Sequence, residues 1–131
     1  MCGIVGIAGP HELKWVHDMN GAIVHRGPDD QGFYSSPDGA VSLAAQRLSI
    51  LDLEGGHQPM SSRDGSIWIV FNGEIYNAPQ LRAQFESQGR QFVTAHSDTE
   101  VLLHLYETKG EAMLDDLNGM FAFVNFGTRL I

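Results

Sequence analysis

The sequence predicts an α+β domain with a largely antiparallel sheet and helices packed outside it. Apolar, β-branched segments bounded by turn residues predict strands, and three segments with helix-like spacing or capping residues predict helices. The length of 131 residues fits one domain, and 43% hydrophobic with 18% charged residues is typical of an ordinary globular chain. We therefore expect a single domain over residues 1–131.

Composition and charge exclude several classes of function. The net charge of −8 disfavours binding to nucleic acid and to anionic membrane surfaces. The longest apolar runs are five residues, such as Ile67–Phe71, so no spanning helix is expected, and the N-terminus lacks the pattern of a signal peptide. A single cysteine cannot form an internal disulfide, which favours a reducing compartment and most simply the cytoplasm.

The first elements are a buried strand and an amphipathic helix. The β-branched segment Gly3–Ala8 predicts the strand. Leu13, Val16, Met19 and Ile23 are spaced by three and four residues, which predicts a helix that buries these four side chains.

The middle of the chain predicts turns and strands. Residues 25–30 predict a loop, Ser36–Gly39 a turn between two strands, and residues 54–56 a further turn. Ser66–Phe71 predicts a strand. Asn72-Gly73 is the favoured pair for a two-residue hairpin turn, so residues 74–76 are expected to return as the next strand.

Two helices and a last strand follow. Asn77 can cap the first helix and Gly89 can end it. Ser97–Glu100 has the pattern of a capping box that starts the second helix, and Gly110 would end that helix. Met120–Phe126 predicts a strand. A strand so near the end of the sequence needs a neighbour, so we expect the domain to continue beyond it.

Cys2 is the first candidate for chemistry. A lone cysteine is most often a small buried hydrophobic residue. If Met1 is removed, however, the thiol shares its residue with a free α-amine, whose pKa is about 7.7–8.0. That amine could accept the thiol proton, which would make Cys2 an activated nucleophile.

The Asn72-Gly73 pair has two interpretations. It is a turn former, but the Asn amide and the Gly N–H are also adjacent donors that could stabilise an oxyanion. Glu74, the next residue, could simply be an exposed strand charge.

Two charged residues could bind a substrate. Asp98 could grip an ammonium group, or could be an acid favoured by the helix dipole. Arg47 interrupts an apolar segment and could hold a carboxylate, or could pair with Asp29 or Asp52. The six histidines have no metal-binding spacing, and no phosphate loop or dinucleotide glycine pattern is present.

Five blocks of sequence are more specific together than any one motif. They are Met1–Ile7, His25–Asp30, Gln46–Asp52, Phe71–Asn77 and Ser97–Glu100. In this order they resemble the class II glutamine amidotransferase domain, a member of the N-terminal-nucleophile family. The HRGPDD and NGEIYN forms resemble the branch of glutamine-hydrolysing asparagine synthetases.

The resemblance implies a fold and a nucleophile. The fold is an αββα sandwich in which two antiparallel sheets pack face to face between layers of helices. Met1 would be removed, and Cys2 would attack the side-chain amide of glutamine to give glutamate and ammonia.

The resemblance also implies roles for the remaining site residues. Asn72 and Gly73 would form the oxyanion hole, and Arg47 would hold the glutamine α-carboxylate. Glu74 and Asp98 would bind the α-amine side of glutamine. The backbone of Ile50 and Leu51 would form part of the pocket wall.

The resemblance finally implies what lies outside this sequence. The ATP-dependent synthetase domain is absent, and residues 125–131 depart from the family pattern, so we expect an incomplete domain. No cofactor is expected in this chain, since ATP and Mg belong to the synthetase domain. Glutamine and that domain are the expected partners, and a homodimer is allowed. Two alternatives stay open: an amidotransferase with a different acceptor, and a non-catalytic module of the same fold.

Overall fold

The computed structural model describes residues 2–48 and 55–128. Six strands and three helices follow in the order β1 (Gly3–Ala8), α1 (Leu13–Ala22), β2 (Asp30–Ser35), β3 (Val41–Arg47), β4 (Met60–Ser61), β5 (Ile67–Ile75), α2 (Ala78–Ser87), α3 (Asp98–Lys109) and β6 (Gly119–Gly127). Short 3₁₀ helices cover Val24–Arg26 and Gly110–Asp116. Among these residues no helix has the length and apolar character needed to cross a membrane.

The first sheet has the order β1-β3-β2, and both strand pairs are antiparallel. Its central strand, β3, is buried along almost all its length. Ala44 packs with Val5 and Val16 under α1, whereas Leu43 and Ala45 face the other way and pack with Val70 of β5. The continuous apolar run of β3 therefore follows from burial on both faces.

The second sheet has the order β4-β5-β6, also antiparallel. All nine residues of β5 pair with β6, from Ile67 opposite Gly127 to Ile75 opposite Gly119. The main hydrophobic core lies on the outer face of this sheet, where α2 and α3 cover β5. Since the two sheets pack against each other through β1, β3 and β5, the predicted αββα sandwich is confirmed.

The predicted hairpin turn at Asn72-Gly73 is wrong. Both residues lie inside the single strand β5, so residues 74–75 continue that strand rather than return as a new one. Gly73 adopts φ +152°, and a Cβ atom at this position would lie 2.2 Å from the carbonyl oxygen of Met120 on β6. The glycine is thus needed for close approach of a partner strand, which outweighs the local turn preference.

Helix α1 is confirmed, but the predicted buried stripe is only partly right. Val16 is buried and Ile23 packs beside it, whereas Leu13 and Met19 are 56% and 45% exposed. At 100° per residue, Leu13 and Met19 lie about 60° to either side of Val16. Asn20 lies closer to Val16, at about 40°, and is buried in their place.

The glycines that end two helices are where the sequence predicts them, but the predicted Asn77 cap is not formed. Gly89 and Gly110 follow α2 and α3 with positive φ, as predicted. Asn77 precedes α2, but its side chain bonds to the backbone of Asp116 and Asn118 rather than to its own helix. These bonds tie the start of α2 to the start of β6.

Candidate active site

A cavity of about 410 Å³ opens where β1, β3 and β5 approach the start of α3. Its lining contains six of the eight residues that the sequence analysis proposed: Cys2, Arg47, Asn72, Gly73, Glu74 and Asp98. The other two, Ile50 and Leu51, lie outside the described residues. The further lining residues are Leu48, Gly56, Gln58, Phe71, His96, Ser97, Thr99 and Met120.

Cys2 lies at the cavity because β1 begins directly after it. The register places Gly3 opposite Gln46, so the start of β1 lies beside the end of β3. Cys2 is half-buried, and its thiol points towards the carbonyl oxygen of Leu48 at 3.9 Å. The thiol is therefore both accessible from the cavity and held by the fold.

Arg47, the last residue of β3, is only 7% exposed and is enclosed by glycines. A Cβ atom on Gly27 would lie 2.5 Å from the Arg47 backbone, and one on Gly56 would lie 2.2 Å from its guanidinium nitrogen Nη2. The backbone N–H of Asp29 also donates to the Arg47 carbonyl oxygen at 3.1 Å. Close packing on both sides thus fixes a cationic fork at the cavity wall.

Asn72, Gly73 and Glu74 form the cavity side of β5. Asn72 is half-buried, whereas Gly73 and Glu74 are exposed. Because these residues belong to a strand that is fully paired with β6, their backbone positions are rigidly held. Rigid placement is what donors to a developing oxyanion require.

Asp98 begins α3 and also binds β5. Its carboxylate oxygen Oδ2 accepts the backbone N–H of Ile75 at 2.8 Å. Burial raises the pKa of Asp98 above 3.8, although the Ile75 hydrogen bond opposes that rise, and nearby Glu74 adds to it. A carboxylate that is partly desolvated beside a second acid favours a cationic ligand.

The predicted capping box at Ser97–Glu100 is not formed, although the helix starts where it predicts. Ser97 makes no side-chain cap to its helix. The buried Glu100 carboxylate instead accepts the backbone N–H groups of Val93 and Thr94, each at 2.7 Å. Glu100 thereby holds the loop that carries His96 and Ser97 to the cavity edge.

Sequence reasoning missed several lining residues. Gly56 was part of a predicted turn, but nothing local indicates that it lies against Arg47. Gln58 and Thr99 belong to no recognisable motif, and His96 has no metal-ligand spacing. The described residues contain no group of three or more His, Cys, Asp or Glu side chains that could hold a metal ion.

A two-sheet sandwich with a cysteine at the head of its first strand defines the N-terminal-nucleophile amidotransferase class. A solved structure of glutamine phosphoribosylpyrophosphate amidotransferase from B. subtilis, complexed with ADP and GMP, superposes with a TM-score of 0.76 at 25% identity. The match covers 95% of this chain and 35% of that one. A family model of the glutamine amidotransferase domain matches residues 1–129, and the chain belongs to that family.

The curated relatives are longer proteins. Asparagine synthetase [glutamine-hydrolyzing] 1 of Bacillus subtilis (strain 168) is 47% identical over 131 residues, which cover 95% of this chain and 20% of the relative. Asparagine synthetase [glutamine-hydrolyzing] 2 of Oryza sativa subsp. japonica is 42% identical over 134 residues, covering 98% and 22%. The chain therefore spans about a fifth of the length of these relatives.

Proposed function

We propose that this domain hydrolyses glutamine to glutamate and ammonia, with Cys2 as the nucleophile. The observation that carries the proposal is the convergence in one cavity of a thiol, an Asn-Gly donor pair, a buried guanidinium and a half-buried carboxylate. These groups come from the residue directly before β1, from β3 and β5, and from α3, so their meeting depends on the whole fold.

The reaction begins at the chain terminus, once Met1 has been removed. The free α-amine of Cys2 takes the thiol proton, and the thiolate attacks the side-chain amide carbon of glutamine. The carbonyl oxygen becomes an oxyanion, to which the Asn72 amide and the Gly73 N–H donate. As the C–N bond breaks, the protonated amine returns its proton to the departing nitrogen, which leaves as ammonia.

The second half of the reaction releases glutamate. Water attacks the γ-glutamyl thioester and gives a proton to the same amine. The C–S bond breaks, the thiolate regains the proton, and glutamate leaves. No redox step occurs, and the residues named supply each proton transfer.

The charged groups of the cavity fix the substrate. The guanidinium of Arg47 binds the α-carboxylate of glutamine as a bidentate partner. Asp98, with Glu74 beside it, binds the α-ammonium, and its low degree of solvation strengthens that contact.

The ammonia serves a second reaction elsewhere in the protein. The relatives are named as glutamine-hydrolysing asparagine synthetases, which supports an aspartate carboxyl group activated by ATP as the acceptor. ATP and Mg would then bind the synthetase domain rather than this one, and the protein would act in cytoplasmic asparagine biosynthesis.

Covalent labelling tests the proposal. A glutamine analogue with an electrophile at the γ-position should label Cys2 at neutral pH and block glutaminase activity. The matched control is a form that retains Met1, in which the Cys2 nitrogen is a peptide amide that cannot take the thiol proton, and this form should label far more slowly. Labelling of another residue, or equal labelling of both forms, would contradict the mechanism.

A further inference from the structure

The side chain of Gln58 bridges the two halves of the cavity. Its carbonyl oxygen Oε1 accepts the backbone N–H of Phe71 at 2.6 Å, directly before Asn72 on β5. Its amide nitrogen Nε2 donates to the Thr99 hydroxyl at 3.3 Å, directly after Asp98 on α3. One side chain thus links the strand of the oxyanion donors to the helix of the ammonium-binding carboxylate.

The Gln58 side chain replaces a backbone hydrogen bond between the strands. Met60 and Ser61 of β4 pair with Ile69 and Trp68, and the same register would place Gln58 opposite Phe71. The Gln58 backbone carbonyl oxygen, which would be the acceptor in that pair, lies against Gly32 of β2 instead. The Gln58 side chain takes over by accepting the Phe71 N–H.

Gln58 is fixed in both position and orientation. The side chain is only 6% exposed, and Thr99 is 4% exposed. A Cβ atom on Gly32 would lie 2.0 Å from the Gln58 carbonyl oxygen, so the backbone packs tightly on β2. Rotating the amide by 180° would put its NH₂ group against the Phe71 N–H and lose that bond.

We infer that Gln58 is a positioning residue that sets the separation between the oxyanion donors and the carboxylate that binds the substrate ammonium. The inference rests on the proposed glutaminase function. A substrate held at its α-carbon presents its amide to Asn72 and Gly73 only if β5 and α3 keep a fixed separation. A misplacement of about 1 Å can cost on the order of 10²-fold in rate.

Substitutions at both ends of the bridge test this role in the intact protein. Gln58→Met keeps much of the side-chain volume and removes both bonds. Thr99→Val removes only the bond to α3, and Thr99→Ser keeps it. We expect Gln58→Met and Thr99→Val to lower kcat for glutamine by roughly 10- to 100-fold with KM changed less than about threefold, and Thr99→Ser to recover most of the Thr99→Val loss.

A control at the other end of β5 separates positioning from stability. The buried Ser62 hydroxyl accepts the backbone N–H of Ile67 at 3.0 Å, which is the same kind of bond to the same strand. Ser62→Ala should lower the melting temperature and leave kcat unchanged. A kcat for Gln58→Met no lower than that of Ser62→Ala, a loss confined to KM, or a Thr99→Ser variant as slow as Thr99→Val overturns the inference.

Failure of the inference and failure of the proposed function give different results. If the unaltered protein hydrolyses glutamine but Gln58→Met and Thr99→Val retain its kcat, only the inference falls. If the unaltered protein does not hydrolyse glutamine, the proposed function falls and the inference falls with it. Thr99→Val keeps the test decisive if Gln58→Met does not fold.

Discussion

Asp38, in the turn between β2 and β3, and Asp98, at the cavity, have oppositely displaced pKa values. Each carboxylate accepts a backbone N–H, from Ala40 at 3.0 Å and from Ile75 at 2.8 Å. The Ser36 hydroxyl, followed by the Ala40 N–H, lowers the pKa of the exposed Asp38, whereas burial raises that of Asp98. The hydrogen bonds of the turn stabilise the charged form of Asp38. The Asp98 carboxylate is instead partly desolvated, and it therefore favours a cationic ligand.

The turn is closed by hydrogen bonds between residues near one another in the chain, and the same turn occurs at two places. Residues 36–41 and 62–67 share the pattern Ser-x-Asp-Gly. In each, the Ser hydroxyl donates to the Asp carboxylate and accepts a backbone N–H five residues later. Gly39 and Gly65 have nearly equal φ values, +71° and +70°. The cavity has no such repeat, because its contacts join residues far apart in the chain.

The largest effect is expected from alanine at the glycine of the cavity strand. Gly73→Ala adds strain at φ +152° and a collision with the Met120 carbonyl, together about 2–6 kcal/mol, and should abolish glutamine turnover. Gly39→Ala meets nothing within 4 Å and should cost only about 1–2 kcal/mol of φ strain with turnover intact. Urea denaturation and glutaminase assays of both variants measure the contrast. Equal losses of stability in the two variants would show that the collision with β6 adds nothing to the cost of Gly73→Ala.

The next effect concerns the oxyanion donor. Asn72→Ala should lower kcat by about 10²–10³-fold and leave KM for glutamine nearly unchanged, because the amide matters most once charge develops. Steady-state kinetics measure both constants. A simple thiol reagent should still react with Cys2 at close to the normal rate, which controls for collapse of the cavity. A loss found wholly in KM would assign Asn72 to ground-state binding.

Asp98→Asn should separate binding from stability. Replacing the charge should weaken glutamine binding by about 1.5–3 kcal/mol, or roughly ten- to a hundredfold. Isothermal titration with a Cys2→Ala background would measure this without turnover. If glutamine binds normally to Asp98→Asn while Asp98→Ala lowers the melting temperature, Asp98 only organises the start of α3.

The two aspartates should also give pH dependences of opposite sign. The folded state raises the Asp98 pKa above 3.8, so the stability linked to its protonation is present below that value and is lost as pH rises through the folded pKa. Asp98→Asn should therefore be at least as stable as the parent at pH 7. The Asp38 pKa is lowered, so its contribution is present above 3.8 and is lost as pH falls through the folded pKa. Asp38→Asn should lose stability at pH 7. The stability of each variant relative to the parent is measured from melting curves between pH 3 and 7. A relative stability that changes with pH in the same direction for both variants would contradict the prediction.

The smallest effect is expected at the turn hydroxyl. Ser36→Ala removes the acceptor of the Val41 N–H and a donor to Asp38, and should cost about 0.5–1.5 kcal/mol. Turnover should not change, since the turn does not contribute to the cavity lining. A fall in kcat with no fall in melting temperature would refute the separation of the two regions.

Local patterns were good predictors of elements and poor predictors of their partners. The strand at Gly3–Ala8, the turn at Ser36–Gly39 and the glycines that follow α2 and α3 are where the sequence predicts. The helix predicted from Ser97–Glu100 starts in the predicted place, but the Glu100 carboxylate bonds to the loop before the helix. The six described site residues were found through five ordered blocks, and their individual roles stay predictions.

The sequence by itself determined most of the elements, the turn at Ser36–Gly39 and the family, because these depend on neighbouring residues and on motif order. Only the tertiary structure decided that Asn72-Gly73 is strand, that Asn20 is buried, and that Gln58 joins β5 to α3. The physical reason is the range of the interactions. A turn is closed by atoms a few residues apart. A partner strand 50 to 56 residues away, from Asn125 to Ala122 opposite Ile69 to Asn72, competes with local preference only after the chain has folded.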